Sequence, residues 1–360
     1  MTINRRKTRQ IRVGNVLIGG DAPISIQSMT NTITKDFEAT VSQILKLEYE
    51  GCEIIRFAVN DFDDAKAIGE IKKRIHIPTI SDIQFDYKLA LAACENGIDG
   101  MRINPGNIGA KWKVKEVCEA CKFRGISIRV GVNSGSVKKE FIDKYGGVNE
   151  NSIVESALEE IEILESLNFF DIKVSLKASN VNLSIDSYKK FSEISDYPLH
   201  LGITEAGPPP MGIVKSAVGI GSLLSQGIGD TIRVSLTADP IEEVKAGKKI
   251  LKSLGLKTDG LDLISCPTCA RTKVDLIKLV DIAQKKLDQL DLNIKVALMG
   301  CAVNGPGEAR EADIGIACGN KNGLIFKKGE VIKKVPEEIL LDELLLEIEN
   351  MKKYNKLNKN

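Results

Sequence analysis

The stretch DIKVSLKAS, residues 171–179, is one of eight short segments of the same kind, and their number decides the fold. Its polar residues Lys173, Ser175 and Lys177 alternate with apolar ones, which is the pattern of a strand with two different faces. Each segment is followed by a helical pattern, and several of these patterns end in glycine or asparagine. The other segments begin at Pro23, Ile54, Ile77, Gly100, Ser127, Pro198 and Thr231.

Repeated strand–helix units predict a parallel sheet, and eight of them in roughly 250 residues are typical of a (β/α)8 TIM barrel. An open, doubly wound sheet is the competing interpretation. The count of eight favours the barrel. We therefore predict an α/β protein whose residues 1–257 form a TIM-barrel substrate-binding domain.

The pattern changes after GKKILKSLGLK (residues 247–257), where we expect a small α/β domain over residues 258–360. Its expected elements are, in order, a helix (272–290), a strand (294–300), a glycine-rich loop (304–309), a hairpin (314–335) with its turn at Asn322-Gly323, and a last helix from Pro336.

The composition is that of an ordinary globular protein, with 43% hydrophobic and 28% charged residues among 360. A formal net charge of +1 argues against a broad nucleic-acid face or a basic membrane surface. The polar, basic start MTINRRKTRQ leads into no apolar run, so we expect no signal peptide and no membrane span. These features predict a cytoplasmic protein with reduced thiols.

The predicted strands carry an unusual number of cations, all within a strand or at its carboxyl end. They are Arg56, Arg102, Arg129, Lys177 and Arg233, and the polar residues Asp82, Asn133, Glu205 and Ser235 lie at similar positions. An unpaired charge inside a packed barrel is costly, but at the carboxyl-terminal mouth it can meet a ligand. The set suits a phosphorylated small molecule. The alternative is that some of these cations are ion-paired or face the helices.

Three cysteines in the second domain form a candidate metal site. Cys266 and Cys269 flank Pro267 in a CxxC pair, and Cys301 follows a second predicted strand. In a reducing compartment such a pair is more often metal-binding or catalytic than structural. Structural zinc usually takes four ligands, whereas three cysteines with an open or oxygen-ligated position suit a [4Fe–4S] cluster.

The other cysteines have a simpler interpretation. Cys118 and Cys121 share one face of a predicted helix and are expected to be buried as small apolar residues, as are Cys52, Cys94 and Cys318. A zinc site that joins the helical pair to Cys266 and Cys269 is the less favoured alternative.

Several longer motifs resemble one family. They are SMTNT (28–32), INPGNIG (103–109), LKAS (176–179), HLGITEAG (200–207), SAVGIGSLLSQGIGDTIRVSL (216–236), CPTCAR (266–271) and GCAVNGPGEA (300–309). Together they resemble the bacterial 4-hydroxy-3-methylbut-2-enyl diphosphate synthases, iron–sulfur enzymes of the methylerythritol phosphate route to isoprenoids. The resemblance extends over nearly the whole chain and no single motif carries it.

The resemblance implies a TIM barrel followed by a small cluster domain, in the short bacterial form. It also implies a reaction. 2-C-methyl-D-erythritol 2,4-cyclodiphosphate is opened and dehydroxylated with two electrons to the linear hydroxymethylbutenyl diphosphate.

The family's site residues fall by motif onto this sequence. The resemblance implies a [4Fe–4S] cluster held by Cys266, Cys269, Cys301 and Glu308. It implies that the cyclic diphosphate is bound by Arg56, Arg102, Arg129, Asn133, Lys177, Arg233 and Ser235. Asp82 and Glu205 are the candidate acid–base groups, and we expect Glu205 to deliver the proton as the hydroxyl leaves.

The resemblance also implies partners: reduced flavodoxin or ferredoxin as electron donor, and a head-to-tail homodimer in which each barrel mouth is closed by the partner's cluster domain. One position departs from the family. Gln84 stands in DIQFDY where members often have histidine. Glutamine cannot shuttle a proton near neutral pH, so we expect it only to position the substrate.

Two other functions remain open at this point. Lys177 could form a Schiff base in a phosphosugar aldolase or isomerase, with the cluster as a spectator. Alternatively, the chain could be an iron–sulfur sensor whose barrel only binds a phosphorylated metabolite.

Overall fold

A barrel of parallel strands, each followed by at least one helix, forms the first part of the chain in the computed structural model. The structure describes residues 3–258, 260–290, 292–301, 307 and 309–357. The strands are β1 (Ile11–Val13), β2 (Val16–Ile18), β3 (Ser25–Met29), β4 (Ile54–Ala58), β5 (Thr79–Asp82), β6 (Gly100–Arg102), β7 (Ser127–Asn133), β8 (Ile172–Lys177), β9 (His200–Leu201), β10 (Thr231–Ile232), β11 (Leu261–Ser265), β12 (Ile294–Met299), β13 (Ile314–Cys318), β14 (Asn322–Lys327) and β15 (Glu330–Pro336).

The helices lie between these strands and after them. They are α1 (Phe37–Tyr49), α2 (Phe62–Lys72), α3 (Tyr87–Glu95), α4 (Pro105–Ile108), α5 (Lys111–Arg124), α6 (Lys139–Tyr145), α7 (Glu150–Glu165), α8 (Val181–Ile194), α9 (Met211–Leu224), α10 (Pro240–Ser253), α11 (Leu276–Leu287) and α12 (Leu340–Leu357), with short 3-10 helices at Ser134–Ser136 and Glu337–Ile339. Among the described helices, none is both long and apolar enough to cross a membrane.

The eight barrel strands follow the order β8-β7-β6-β5-β4-β3-β10-β9, and every neighbouring pair is parallel. A parallel bridge between Val174 and Leu199 joins β8 to the residue before β9 and closes the ring. The barrel prediction is therefore confirmed, and the open doubly wound sheet is excluded.

Side-chain alternation divides each barrel strand into an outer and an inner face. On β7, Ile128, Val130 and Val132 belong to the apolar core between the strands and the helices. Arg129 and Asn133 lie on the opposite face of the same strand, toward the barrel interior. The sequence thus places polar side chains inside the barrel while the apolar core lies outside it.

Local signals in the sequence fix the helix ends. Asp36 accepts a hydrogen bond from the Ala39 N–H at the start of α1, and Asn149 caps α7 in the same way. Beyond the carboxyl ends, Gly51 and Gly125 have positive φ angles of 97° and 66°, which glycine adopts without steric cost. These caps stop each helix where the chain must turn back into the barrel.

A β-hairpin that the sequence did not reveal closes the amino-terminal end of the barrel. β1 and β2 pair antiparallel, and their Ile11, Val13 and Ile18 form a buried cluster with Ile54 and Ile80. This cluster fills much of the lower interior with apolar side chains, and the arginines of the barrel strands lie toward the opposite, carboxyl-terminal end.

The second part of the chain is a five-stranded mixed sheet in the order β11-β12-β13-β14-β15. β11, β12 and β13 are parallel, and β13–β14 and β14–β15 are antiparallel. The chain divides into two compact units, Met1–Lys257 and Thr258–Asn360.

Two expectations for this second unit were wrong in detail. The turn expected at Asn322-Gly323 lies earlier, because β13 ends at Cys318 and β14 already begins at Asn322. Position 323 favours glycine for another reason, because a Cβ there would collide with the Leu340 side chain of α12. The helix expected from residue 272 begins at Leu276, because the Asp275 side chain accepts a hydrogen bond from the Lys278 N–H and caps it.

Shortening a side chain of the amino-terminal cluster tests its contribution to the barrel. Ile18 is fully buried, so we expect Ile18→Ala to lower the free energy of unfolding by about 2–5 kcal/mol. The measurement is urea unfolding followed by the fluorescence of Trp112, the single tryptophan, which lies on helix α5 of the same unit.

The adjacent residue supplies the control. Leu17 is 40% exposed on the same strand, so Leu17→Ala should change the free energy of unfolding by less than about 0.5 kcal/mol. Equal effects of the two substitutions would show that the hairpin does not close the barrel as described.

Candidate functional site

The carboxyl-terminal mouth of the barrel gathers the cations predicted from the sequence. Arg56 lies within β4, Arg102 ends β6, Arg129 lies within β7, Lys177 ends β8, and Arg233 follows β10. Arg129 is 3% exposed, Lys177 7% and Arg56 9%. The strands therefore bring cationic groups from different parts of the chain to one end of a low-dielectric interior.

Asp82, at the end of β5, lies between two of these arginines. Its Oδ2 is 3.8 Å from Arg56 Nε, and its Oδ1 is 3.3 Å from Arg102 Nη1. The Gln84 amide donates to the same carboxylate at 3.2 Å and accepts from Arg102 Nη1 at 3.0 Å. Asp82 thus orients both guanidinium groups, and Gln84 supports the arrangement with its two amide atoms.

Arg56 and Arg233 converge on Met29, the last residue of β3, and β3 lies between β4 and β10 in the barrel. Arg56 Nη2 is 2.9 Å from the Met29 sulfur and Arg233 Nη1 is 3.7 Å from it. A thioether sulfur is only a weak acceptor, so it compensates little of either charge. Both guanidinium groups can therefore still donate hydrogen bonds to a stronger, anionic acceptor near Met29.

Glu243 on α10 is a buried carboxylate that the sequence analysis did not assign to the site. It accepts from the Leu236 N–H at 2.8 Å and lies 3.7 Å from Arg233 Nε. Burial raises its pKa, against the opposing effect of Arg233. Glu243 therefore fixes the loop after β10, which carries Arg233 and Ser235.

The positive charges of the cations at the mouth repel one another. Burial lowers the pKa of Arg56 to about 9, and the charge of Arg233 adds to the effect. Burial and then neighbouring arginines lower the pKa values of Arg129 and Lys177 as well. Each of these shifts has the direction that an incoming anion would reverse.

Arg129 shows most clearly that the site lacks compensation. Its Nε and Nη1 are buried and have no hydrogen-bond partner within the described residues. A buried donor without a partner costs about 1–3 kcal/mol, and more when it is charged. Phosphate oxygens are the strong acceptors that match an arginine fork.

The remaining predicted residues lie around this cluster. Asn133 ends β7 and is half-buried, with its backbone N–H bound to Ser136 Oγ at 3.1 Å. Ser235 is half-buried and lies two residues beyond Arg233, in the loop after β10. Glu205 is exposed in the loop after β9 and has a positive φ of 53°, which is strained for a residue with a side chain.

Two further polar side chains lie deeper in the barrel than the predicted ones. Lys173 on β8 is 1% exposed, and His200 on β9 is fully buried. The Lys173 amine and both His200 ring nitrogens have no hydrogen-bond partner among the described residues. The alternation in DIKVSLKAS gives the face of Lys173 but not its depth, which is why the sequence did not assign it to the site.

The candidate metal ligands follow neighbouring strands of the second unit. Cys266 comes directly after β11 and Cys301 two residues after β12, and these strands pair in parallel with Ser265 opposite Leu298. The Gly300 N–H donates to Cys266 Sγ at 3.2 Å, which ties the two strand ends together. Cys266 and Cys301 are half-buried and Cys269 is exposed.

These thiols have the chemistry that an iron–sulfur cluster requires. All three thiols are free. Hydrogen bonds from Arg271, most of all from its backbone N–H, lower the pKa of the Cys269 thiol and so favour the thiolate, which is the form that binds metal. In the part of the chain that the structure describes, no three metal-ligating side chains already form a compact group. Glu308, the expected fourth ligand, lies outside the described residues. The donor set therefore fits a cluster by residue type and chain position.

The cysteines predicted to be structural are buried as expected. Cys118 and Cys121 lie in the barrel's outer core on α5, and Cys121 Sγ is 3.9 Å from Cys94 Sγ. Burial raises the pKa of Cys118 and of Cys318 to about 12 in each case. Such thiols are poor metal ligands, which supports their assignment to the core.

Comparison with known proteins adds an independent result. The family model described as the GcpE TIM-barrel domain matches residues 8–248. The model of the GcpE protein C-terminal domain matches residues 262–350.

Curated relatives match at full length. A Clostridium tetani protein named 4-hydroxy-3-methylbut-2-en-1-yl diphosphate synthase (flavodoxin) is 59% identical over 349 residues, 97% of this chain and 100% of the relative. Proteins of the same name from Clostridium perfringens and Caldanaerobacter subterraneus are 58% identical over 97% of this chain, and over 100% and 98% of the respective relatives.

Solved structures support the barrel alone. Phospho-2-dehydro-3-deoxyheptonate aldolase from Thermotoga maritima has a TM-score of 0.52 at 13% identity, covering 70% of this chain and 76% of that one. Dihydropteroate synthase from Stenotrophomonas maltophilia has a TM-score of 0.51 at 13% identity, covering 69% and 98%. At this identity the similarity concerns the fold only.

Arg129→Met tests whether the buried charge of Arg129 lowers the stability of the protein and serves to bind an anion. Because methionine removes a buried, uncompensated charge, we expect the free energy of unfolding to rise by about 1–4 kcal/mol. Binding of inorganic pyrophosphate should weaken at least tenfold. Urea unfolding and calorimetric titration measure the two effects.

The exposed Arg124 on α5 provides the matched control, because Arg124→Met should change neither quantity. An Arg129→Met variant that is less stable than wild type would mean that this guanidinium has a compensating partner, and would contradict the description of the site.

Proposed function

Because the chain belongs to the GcpE family, we propose that it catalyses the reductive ring opening of 2-C-methyl-D-erythritol 2,4-cyclodiphosphate. The product is (E)-4-hydroxy-3-methylbut-2-enyl diphosphate, formed as a hydroxyl leaves as water and two electrons enter. The chain is an enzyme, an oxidoreductase of isoprenoid biosynthesis, as its full-length similarity to the named synthases shows.

The observation that carries the proposed substrate is the excess of buried cations over carboxylates at the mouth. Asp82 and Glu243 are already engaged by arginines or backbone, while two nitrogens of Arg129 have no partner in the described part of the chain. A compact molecule with two phosphate groups supplies the missing negative charge. We assign its binding to Arg56, Arg102, Arg129, Lys177 and Arg233, together with Asn133 and Ser235.

The two carboxylates named from the sequence are proposed to act differently. Asp82, held between Arg56 and Arg102, orients the diphosphate-binding groups. Glu205 lies exposed on the loop after β9, where it can exchange a proton with solvent and deliver it to the leaving hydroxyl. Its strained backbone is consistent with a functional position.

Cys266, Cys269 and Cys301, with Glu308 as the fourth ligand, are proposed to hold a [4Fe–4S] cluster. When bound, such a cluster supplies single electrons and a Lewis-acidic iron. The hydrogen bond from the Gly300 N–H to Cys266 Sγ is of the kind that tunes a cluster by stabilising thiolate charge.

The proposed partners follow from the same assignment. Reduced flavodoxin or ferredoxin would deliver the electrons, and the name of the relatives favours flavodoxin. We further propose a homodimer and a cytoplasmic location, where the free thiols found at every cysteine stay reduced.

One observation favours a second candidate function. Burial lowers the pKa of Lys177, which is the direction that favours a nucleophilic amine in a Schiff-base aldolase. Borohydride trapping with a phosphosugar distinguishes the two, because only the aldolase forms a stable covalent adduct on Lys177.

Metal analysis of protein purified without oxygen tests the cluster. We expect about four irons and four sulfides per chain and an electron paramagnetic resonance signal after reduction. Cys301→Ser should lose the cluster and all turnover of the cyclodiphosphate by dithionite and a mediator dye.

Cys318→Ala is the control for this experiment, since Cys318 is a buried cysteine of the same sheet that we assign to the core. It should keep its iron. Zinc in the wild type, or a disulfide between Cys266 and Cys269, would refute the reductive mechanism.

A further inference from the structure

Lys173 is a buried amine inside the barrel, on the same strand as Lys177 of the mouth. It precedes Lys177 by four residues on β8, so both side chains lie on the inner face of the same strand. Lys177 keeps 7% of its surface exposed at the mouth, whereas Lys173 keeps 1%. Lys173 is therefore the deeper of the two amines and the one shielded from solvent.

The neighbours of Lys173 give its amine no acceptor. On one side, β7 places Arg129 directly opposite Lys173 in the parallel register. On the other side, the bridge that closes the barrel places His200 of β9 beside β8. The Lys173 amine remains without a hydrogen-bond partner in the described residues, as do both ring nitrogens of His200.

The cations around Lys173 disfavour a positive charge on its amine. Burial lowers its pKa well below the usual range, and Arg129 and Arg56 lower it further. Burial and then Lys177 lower the pKa of His200 in the same way. The carboxylates at the mouth, Asp82 and Glu243, are held by Arg102 and by the Leu236 N–H.

We infer that Lys173 is a further anion-recognition residue of the barrel, whose amine is uncharged in the free protein and takes up a proton from solvent when the cyclic diphosphate binds. The inference rests on the proposed function for the identity of the ligand. The bound dianion reverses the local potential, so that an ammonium beneath it becomes favourable.

Proton uptake by Lys173 also matches the change of charge in the proposed reaction. The cyclic dianion, two electrons and one proton give a linear diphosphate trianion and water. A cation that forms beneath the diphosphate stabilises the ring-opened state, with its additional negative charge, more than the substrate. Interactions that strengthen along the reaction are the ones that accelerate it.

Calorimetric titration of the cyclodiphosphate into the oxidised, full-length protein tests the inference. The phosphates of the cyclic diphosphate do not titrate near neutral pH, so any pH dependence belongs to the protein. Titrations in buffers of different ionisation enthalpy count the protons taken up. For each proton taken up, affinity should fall about tenfold per pH unit above neutrality.

Lys173→Met isolates the contribution of this amine, since methionine is similar in length and carries no charge. We expect it to take up about one proton fewer than wild type and to show a correspondingly weaker pH dependence of affinity. Lys66→Met, at an exposed lysine of α2 whose side chain is 74% accessible, should behave as wild type.

The outcomes separate the inference from the function on which it rests. Absence of any binding by wild type would contradict the proposed substrate and the inference together. Binding by wild type without proton uptake would contradict the inference alone, even if Lys173→Met fails to fold. Uptake that persists in Lys173→Met and disappears in His200→Gln would assign the proton to the histidine and overturn the role of Lys173.

Discussion

Cations that converge inside one end of the barrel, without enough anions to compensate them, are the constraint on which the rest of the molecule depends. Arg56, Arg129 and Lys177 are each less than a tenth exposed. Burial lowers their pKa values, and the charges of neighbouring arginines lower them further. Such an arrangement costs stability, so it persists only where the surrounding fold is strong and the site has a use. We propose that this use is the binding of a compact, highly charged phosphate compound.

The fold supplies what this arrangement requires. Apolar side chains on the outer strand faces pack against the helices, and the β1–β2 hairpin fills the lower interior with Ile11, Val13 and Ile18. The polar groups therefore need not contribute to the core. Carboxylates then set the geometry: Asp82 spaces Arg56 and Arg102, and Glu243 reaches in from α10 to hold the loop of Arg233.

Much of this could be predicted from the sequence because the strand–helix units repeat. The eight strands were found as short segments each followed by a helical pattern, and the mouth cations from their positions within these strands or at their carboxyl ends. Depth within the barrel has no such signature, so Lys173 was missed, and Glu243 was missed because it comes from a helix. The three-residue strands β1 and β2 are too short to show a period. Gly323 was taken for a turn residue because the sequence does not show that Leu340 packs against it.

We propose that this oxidoreductase combines a diphosphate-binding barrel with the ligands of an electron-transferring cluster, and the most direct test is of the reaction itself. Phosphorus-31 nuclear magnetic resonance of the cyclodiphosphate, mixed without oxygen with the iron-loaded protein, excess dithionite and a mediator dye, measures that reaction directly. We expect the resonances of the cyclic diphosphate to be replaced by those of a linear diphosphate with a terminal phosphate group. Resonances that remain those of the cyclic compound, in a sample that binds it and holds its full complement of iron, would contradict the account.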